Sequence, residues 1–172
     1  MGKIVELIGE DAIRKKTEEM AEIISRDYEG EELYVICILK GSVFFACDLS
    51  KRITVPVNLD FMSVSSYGAG TVSSGEVVIK KDLDESIEGR NVLLVEDIID
   101  SGRTLKELVE ILKRRNPKSL EVVTLLDKPE RREFEVDVKY TCFEIPDKFV
   151  VGYGMDYDQK YRNLPYVGVM EA

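Results

Sequence analysis

The chain has 172 residues, 44% hydrophobic and 8% aromatic, with a formal net charge of −9 and no histidine. That length suits one domain burying about 70% of its unfolded surface, and the acidity argues against a nucleic-acid or anionic-membrane surface. Lacking histidine, the chain cannot build a Ser–His–Asp triad, the usual zinc sites or the commonest general base. Acid–base chemistry then falls to Asp, Glu, Lys or Tyr, and any metal is expected to be a hard, oxygen-ligated ion such as Mg²⁺.

No apolar run approaches the roughly 20 residues that span a bilayer, and the opening "MGKIVELIGEDAI" has no secretory apolar region. Glu6 breaks the myristoylation pattern. Cys37, Cys47 and Cys142 are odd in number and widely spaced. They are read as buried reduced thiols of a cytoplasmic protein.

In chain order, "IGEDAIRKKTEEMAEIISRDY" sets Ile13, Met20, Ala21 and Ile24 on one face, an amphipathic helix. "ELYVICILKG" is a short continuous apolar run ending at Gly41, the pattern of a strand covered on both faces. "SVFFACDLSKRI" is expected to return as a helix. "VNLDFMSVSSYG" and "GEVVIKK" are strand candidates joined by the small and polar "SYGAGTVSSG". "NVLLVED" and "LEVVTLLDK" are strands on either side of the helix "TLKELVEILKRRN", which stops at Asn116-Pro117. "VKYTCFEI" and "FVVGYG" are expected to finish the sheet. Strands alternating with helices predict one α/β domain over residues 1–172, a mainly parallel twisted sheet with helices on both faces.

In such a sheet, ligands bind beyond the C-terminal strand ends. Glu96 and Asp97 stand where "VLLV" runs out, and "DSGRT" then opens a helix with Thr104 and Glu107 spaced as a capping box. Ser101 and Gly102 leave backbone N–H groups unobstructed, as phosphate binding at a helix N-terminus requires. Acids beside a phosphate cradle need a purpose, and ribose hydroxyls or a Mg²⁺ bridging to the ligand supply one. Either feature alone is an ordinary acidic loop or cap. Their order after a buried strand points to a sugar phosphate and a metal.

"VLLVEDIIDSGRTL" closely resembles the 5-phosphoribosyl 1-pyrophosphate (PRPP) signature of the type I phosphoribosyltransferases. "ILKGSVFF", "SSYG", "TLLDKPERR" and "FVVGYGMDYDQKYRNLPYVG" match the hypoxanthine–guanine branch in order and spacing. The resemblance implies the type I fold, with a small base-binding hood from the terminal segments and a dimer or tetramer. It also implies Mg²⁺ as cofactor, and transfer of the phosphoribosyl group from PRPP to hypoxanthine or guanine.

It further implies roles residue by residue. Glu96 and Asp97 bind the ribose hydroxyls directly or through Mg²⁺, and Asp156 helps hold a second Mg²⁺. Asp100, Ser101, Gly102, Arg103 and Thr104 cradle the 5′-phosphate, and Asp100 faces the purine N7 as general base or acid. Lys128 donates to the 6-oxo group, although a lysine before a proline is otherwise an ordinary solvated loop residue. Phe149 stacks on the purine, with simple core packing an equal alternative from sequence alone. The Val150 backbone reads the 2-position, and Ile98 and Asp156 complete the purine site. Leu39, Lys40 and Gly41 present backbone N–H groups to the pyrophosphate, which Arg162 also reaches, and the peptide before Lys40 can be cis.

The loop at residues 65–75 fails both as a dinucleotide fingerprint and as a P-loop, since Glu76 stands where a P-loop needs Lys. It suits a lid carrying Ser66 and Tyr67, which would keep water from the reacting centre. Two other classes fit less well. An RNA-binding regulator conflicts with the charge of −9, and a receiver domain needs an acid pair where "VICILKG" has Lys40.

Overall fold

The computed structural model describes residues 2–66 and 76–171, with Ser66 in its backbone only; Tyr67 of the expected lid lies outside the described residues. In chain order the elements are β1 (Lys3–Ile8), α1 (Glu10–Asp27), β2 (Leu33–Leu39), α2 (Val43–Ser50), β3 (Val57–Ser66), β4 (Val77–Lys81) and β5 (Asn91–Ile99). There follow α3 (Arg103–Lys113), β6 (Ser119–Asp127), a 3₁₀ turn (Pro129–Arg131), β7 (Tyr140–Glu144), β8 (Val150–Val151) and β9 (Val167–Glu171).

Six strands form one sheet in the order β4-β3-β2-β5-β6-β7. Every pairing is parallel except that of β3 with β4. Successive residues of a strand face opposite sides, so each central strand feeds two cores. Val35, Cys37, Leu93 and Val95 pack with Ile13, Met20, Ala21 and Ile24 of α1 and Phe45 and Leu49 of α2. Tyr34, Ile36, Val92 and Leu94 pack on the other face with Leu105, Leu108 and Leu112 of α3. Burying a leucine contributes about 1.5–3 kcal/mol. Three of them on one stripe anchor α3, and with it the loop that precedes it, to the strand ends.

Three expectations are corrected. β5 runs two residues beyond Asp97, because Ile98 and Ile99 continue the parallel register against Leu126 and Asp127 of β6. Val150–Val151 does not finish the main sheet. It pairs with Val169 and Gly168 of β9, which pairs in turn with β1 to make a separate antiparallel sheet. Both ends of the chain thus meet in one small hood, and β1 and β9 were not legible as strands beforehand. Finally, Cys37 and Cys142 are buried but Cys47 is only partly so. Burial pushes the Cys37 thiol up to about 11 and the Cys142 thiol to about 12, so both are poor nucleophiles at neutral pH.

Candidate active site

The end of β5, the loop after it and the end of β6 form one surface. Glu96, Ile98, Asp100, Ser101, Gly102, Arg103 and Thr104 line a single cavity of about 270 Å³ with Ile38, Val64 and Leu105. Gly102 is the N-cap of α3 at φ +85, a left-handed conformation that a residue with a Cβ adopts at a cost. A Cβ there would also lie 2.9 Å from the Phe134 carbonyl oxygen. The capping box is therefore not the one expected. The cap falls two residues earlier, so Thr104 and Glu107 lie inside the helix. Ser101 to Leu105 line the cavity where α3 begins, with the Arg103 N–H donating to Ser101 Oγ at 3.3 Å, and a helix N-terminus of this kind suits an anion.

Segment 132–134 holds this loop from outside. The N–H groups of Glu133 and Phe134 donate to the Ser101 carbonyl at 2.9 and 3.0 Å. Arg132 donates through Nε to the Asp100 carbonyl at 3.2 Å, and through Nη2 to the Asp127 carboxylate. The Arg103 guanidinium turns to the Phe134 ring, 5.4 Å from its centroid. Arg132 escaped the sequence reading because "PERR" looks like a solvated turn.

Lys128 follows β6, and its N–H donates to the Ile99 carbonyl at 3.0 Å. It is no solvated loop residue: it is 8% exposed. Its ammonium lies 3.4 Å from the Asp100 carboxylate and 4.0 Å from that of Asp147. Parallel register between β5 and β6 makes this contact, since Ile99 faces Asp127 and the next residue of each strand enters the site.

On the other side of β5, Asp97 lies against the turn after β2. A Cβ on Gly41 would fall 1.9 Å from Asp97 Oδ2, so only glycine lets the turn approach. The Leu39–Lys40 peptide in that turn is cis. Burial, and then the charge of Asp97, hold the Glu96 carboxyl well above its usual range. Burial also raises Asp97, although the Ile98 N–H and the charge of Arg162 oppose the rise. Two adjacent acids whose surroundings disfavour their charge are suited to a divalent cation or to hydroxyl donors. Among the described residues no three acidic or thiol side chains gather into a metal cage. The adjacent Glu96 and Asp97 carboxylates are a donor set that fits Mg²⁺, which commonly uses one or two carboxylates with water and ligand phosphate oxygens.

Asp156 stands apart from that pair. Its Oδ1 lies 3.4 Å from Arg162 Nη2, and its Oδ2 accepts the Gln159 N–H at 2.9 Å. Arg162 also donates to the Gly154 carbonyl at 2.7 Å and to Gln159 Oε1 at 3.1 Å, while Lys40 Nζ reaches the same Oε1 at 3.2 Å. Phe149 is 52% exposed, which removes core packing as its role. Its ring meets Tyr157 edge to face at 5.8 Å, and both line a depression shared with the hood. Val150 is buried in β8, so its backbone alone is available to a ligand.

Residues 7–158 match the phosphoribosyl transferase domain family. The chain is 50% identical over 165 residues to a hypoxanthine-guanine phosphoribosyltransferase of Streptococcus thermophilus, covering 96% of this chain and 92% of that one. It is 52% identical, with the same shares, to a hypoxanthine-guanine phosphoribosyltransferase of Bacillus subtilis. A crystal structure of a hypoxanthine-guanine phosphoribosyltransferase from Bacillus anthracis, 49% identical, matches with a TM-score of 0.94 over 99% of both chains. The chain belongs to the phosphoribosyltransferase family, in its hypoxanthine-guanine branch.

Arg132 is placed to hold the loop and β6 together. Arg132→Met is expected to raise the KM for the phosphoribosyl donor about tenfold or more, as small displacements of a preorganised site do. Arg132→Lys is expected not to restore it, because one ammonium cannot bridge both partners. Steady-state kinetics with thermal melting as a folding control would check this. An unchanged KM would remove Arg132 from the site.

Proposed function

We propose that this chain transfers the 5-phosphoribosyl group of PRPP to N9 of hypoxanthine or guanine, giving IMP or GMP and pyrophosphate. The observation that carries the reading is a buried lysine paired with an aspartate at adjacent strand ends, where that aspartate also lines a cavity at a helix N-terminus.

The roles follow from the chemistry of each group. The loop from Asp100 to Thr104 receives the 5′-phosphate on backbone N–H groups. Glu96 and Asp97 receive the ribose hydroxyls and would hold Mg²⁺, and Asp156 is the candidate for a second ion. When bound, Mg²⁺ supplies positive charge against the pyrophosphate oxygens. Lys40 and Arg162 add two cations for the same leaving group, a planar guanidinium suiting phosphate oxygens. Ile98, Phe149 and the Val150 backbone flank the purine, and the Lys128 ammonium donates to its 6-oxo oxygen. Asp100 exchanges one proton with N7. Bond breaking at C1′ is expected to lead bond making, so positioning and charge neutralisation carry most of the catalysis. Ser66 and Tyr67 are proposed to belong to a lid.

A cytoplasmic location accords with three unpaired cysteines, two of them buried. No helix among the described residues is long and apolar enough to cross a membrane. A dimer or tetramer is proposed on the resemblance alone, and light scattering would size it.

The test is a base panel of hypoxanthine, guanine, xanthine, adenine and uracil with PRPP and Mg²⁺, followed by product absorbance. Turnover of the 6-oxopurines with adenine and uracil inert, and its loss in EDTA, is the expected result. Turnover of adenine would keep the PRPP site and overturn the base pocket. Bound PRPP with no base consumed would instead indicate a regulator.

A further inference from the structure

The roles above leave Gln159 unused, yet its side chain stands between the two cations assigned to the leaving group. Its Oε1 accepts from Lys40 Nζ at 3.2 Å and from Arg162 Nη2 at 3.1 Å. Lys40 comes from the turn after β2 and Arg162 from the loop before β9, so no local sequence pattern brings them together. Two like charges held side by side repel, and an oxygen between them offsets that repulsion.

The loop is shaped to aim this amide. Asp158, Gln159 and Tyr161 have φ values of +51, +64 and +74, a region that residues with a Cβ occupy sparingly and that clusters at functional sites. The Gln159 N–H is tied to Asp156 Oδ2 at 2.9 Å. Tyr157 and Lys160 exchange two backbone hydrogen bonds of 3.0 Å across the turn. Arg162 also donates to the Gly154 carbonyl and pairs with Asp156, contacts that do not use the Gln159 side chain. The guanidinium thus has anchors independent of the amide.

We propose that Gln159 is a placeholder for a pyrophosphate oxygen. Its Oε1 keeps Lys40 and Arg162 in an anion-binding arrangement in the empty site and withdraws when pyrophosphate enters. The inference rests on the assignment of Lys40 and Arg162 to pyrophosphate. Because the placeholder is a neutral amide, it competes weakly with a polyvalent anion. A carboxylate of the same length would pair with both cations far more strongly, and an apolar side chain would not compete.

The experiment compares wild type, Gln159→Leu and Gln159→Glu by product inhibition. Pyrophosphate is titrated against PRPP in Mg²⁺, and GMP, which carries no pyrophosphate, is titrated in parallel. Relative to GMP, pyrophosphate is expected to bind about threefold to tenfold tighter in Gln159→Leu, the usual scale for one hydrogen bond. It is expected to bind weaker by a similar or larger factor in Gln159→Glu. Both variants weakening pyrophosphate and GMP together would make Gln159 a merely structural residue and overturn the proposal, as would two unchanged ratios. A wild type that forms IMP but is not inhibited by pyrophosphate would instead overturn the assignment of Lys40 and Arg162, and this inference with it.

Discussion

Asp100→Asn is expected to lower kcat about 100-fold or more, the usual weight of one positioned acid–base group, while PRPP affinity changes by less than about threefold. Asparagine keeps the size of the side chain and the backbone carbonyl that Arg132 holds, so the cradle should survive. What disappears is a group that can carry a proton. With no histidine in the chain, the group paired with Asp100 is Lys128, which is already assigned to the 6-oxo oxygen. Single-turnover rates and PRPP binding measured on the same preparation separate the two effects. Loss of PRPP binding with turnover per bound donor intact would show that Asp100 is a cradle residue only.

Lys128→Met should act on the other substrate. Methionine matches the length of the stem, so packing around this 8%-exposed position is largely kept. The lost interaction is a charge-assisted hydrogen bond, worth about 1.5–3 kcal/mol, or roughly 10- to 150-fold in the KM for hypoxanthine. PRPP affinity should change little, and discrimination against adenine should narrow, because a site that pairs one substrate group rejects analogues by leaving that group unpaired. Asp100 loses its partner at 3.4 Å, so kcat should fall as well. A KM for hypoxanthine within about twofold of wild type, against the scale of a charged hydrogen bond, would show that Lys128 pairs with Asp100 and does not meet the base.

Much of this site could be read along the chain because its residues are contiguous. Glu96 to Thr104 is one strand end, one turn and one helix start, and a single motif carries the order. The buried face of α1 and the double-sided core of β2 were equally legible, since both depend on residue periodicity. The errors are also physical. The cap of α3 moved to Gly102 because its left-handed backbone packs under the Phe134 carbonyl, a contact made 32 residues away.

The sequence by itself determined the class of fold, the run of acids, small turn and helix start from Glu96 to Thr104, and the lack of any histidine. These follow from local pattern and composition. Tertiary structure alone decided that β8 leaves the main sheet to join β1 and β9. It also decided that Arg132 braces the loop before α3, that Lys128 is buried against Asp100, and that Gln159 bridges Lys40 and Arg162. Each of these is a contact between elements distant in the chain. Its geometry is set by strand register, helix burial and loop backbone, which no short stretch of sequence records.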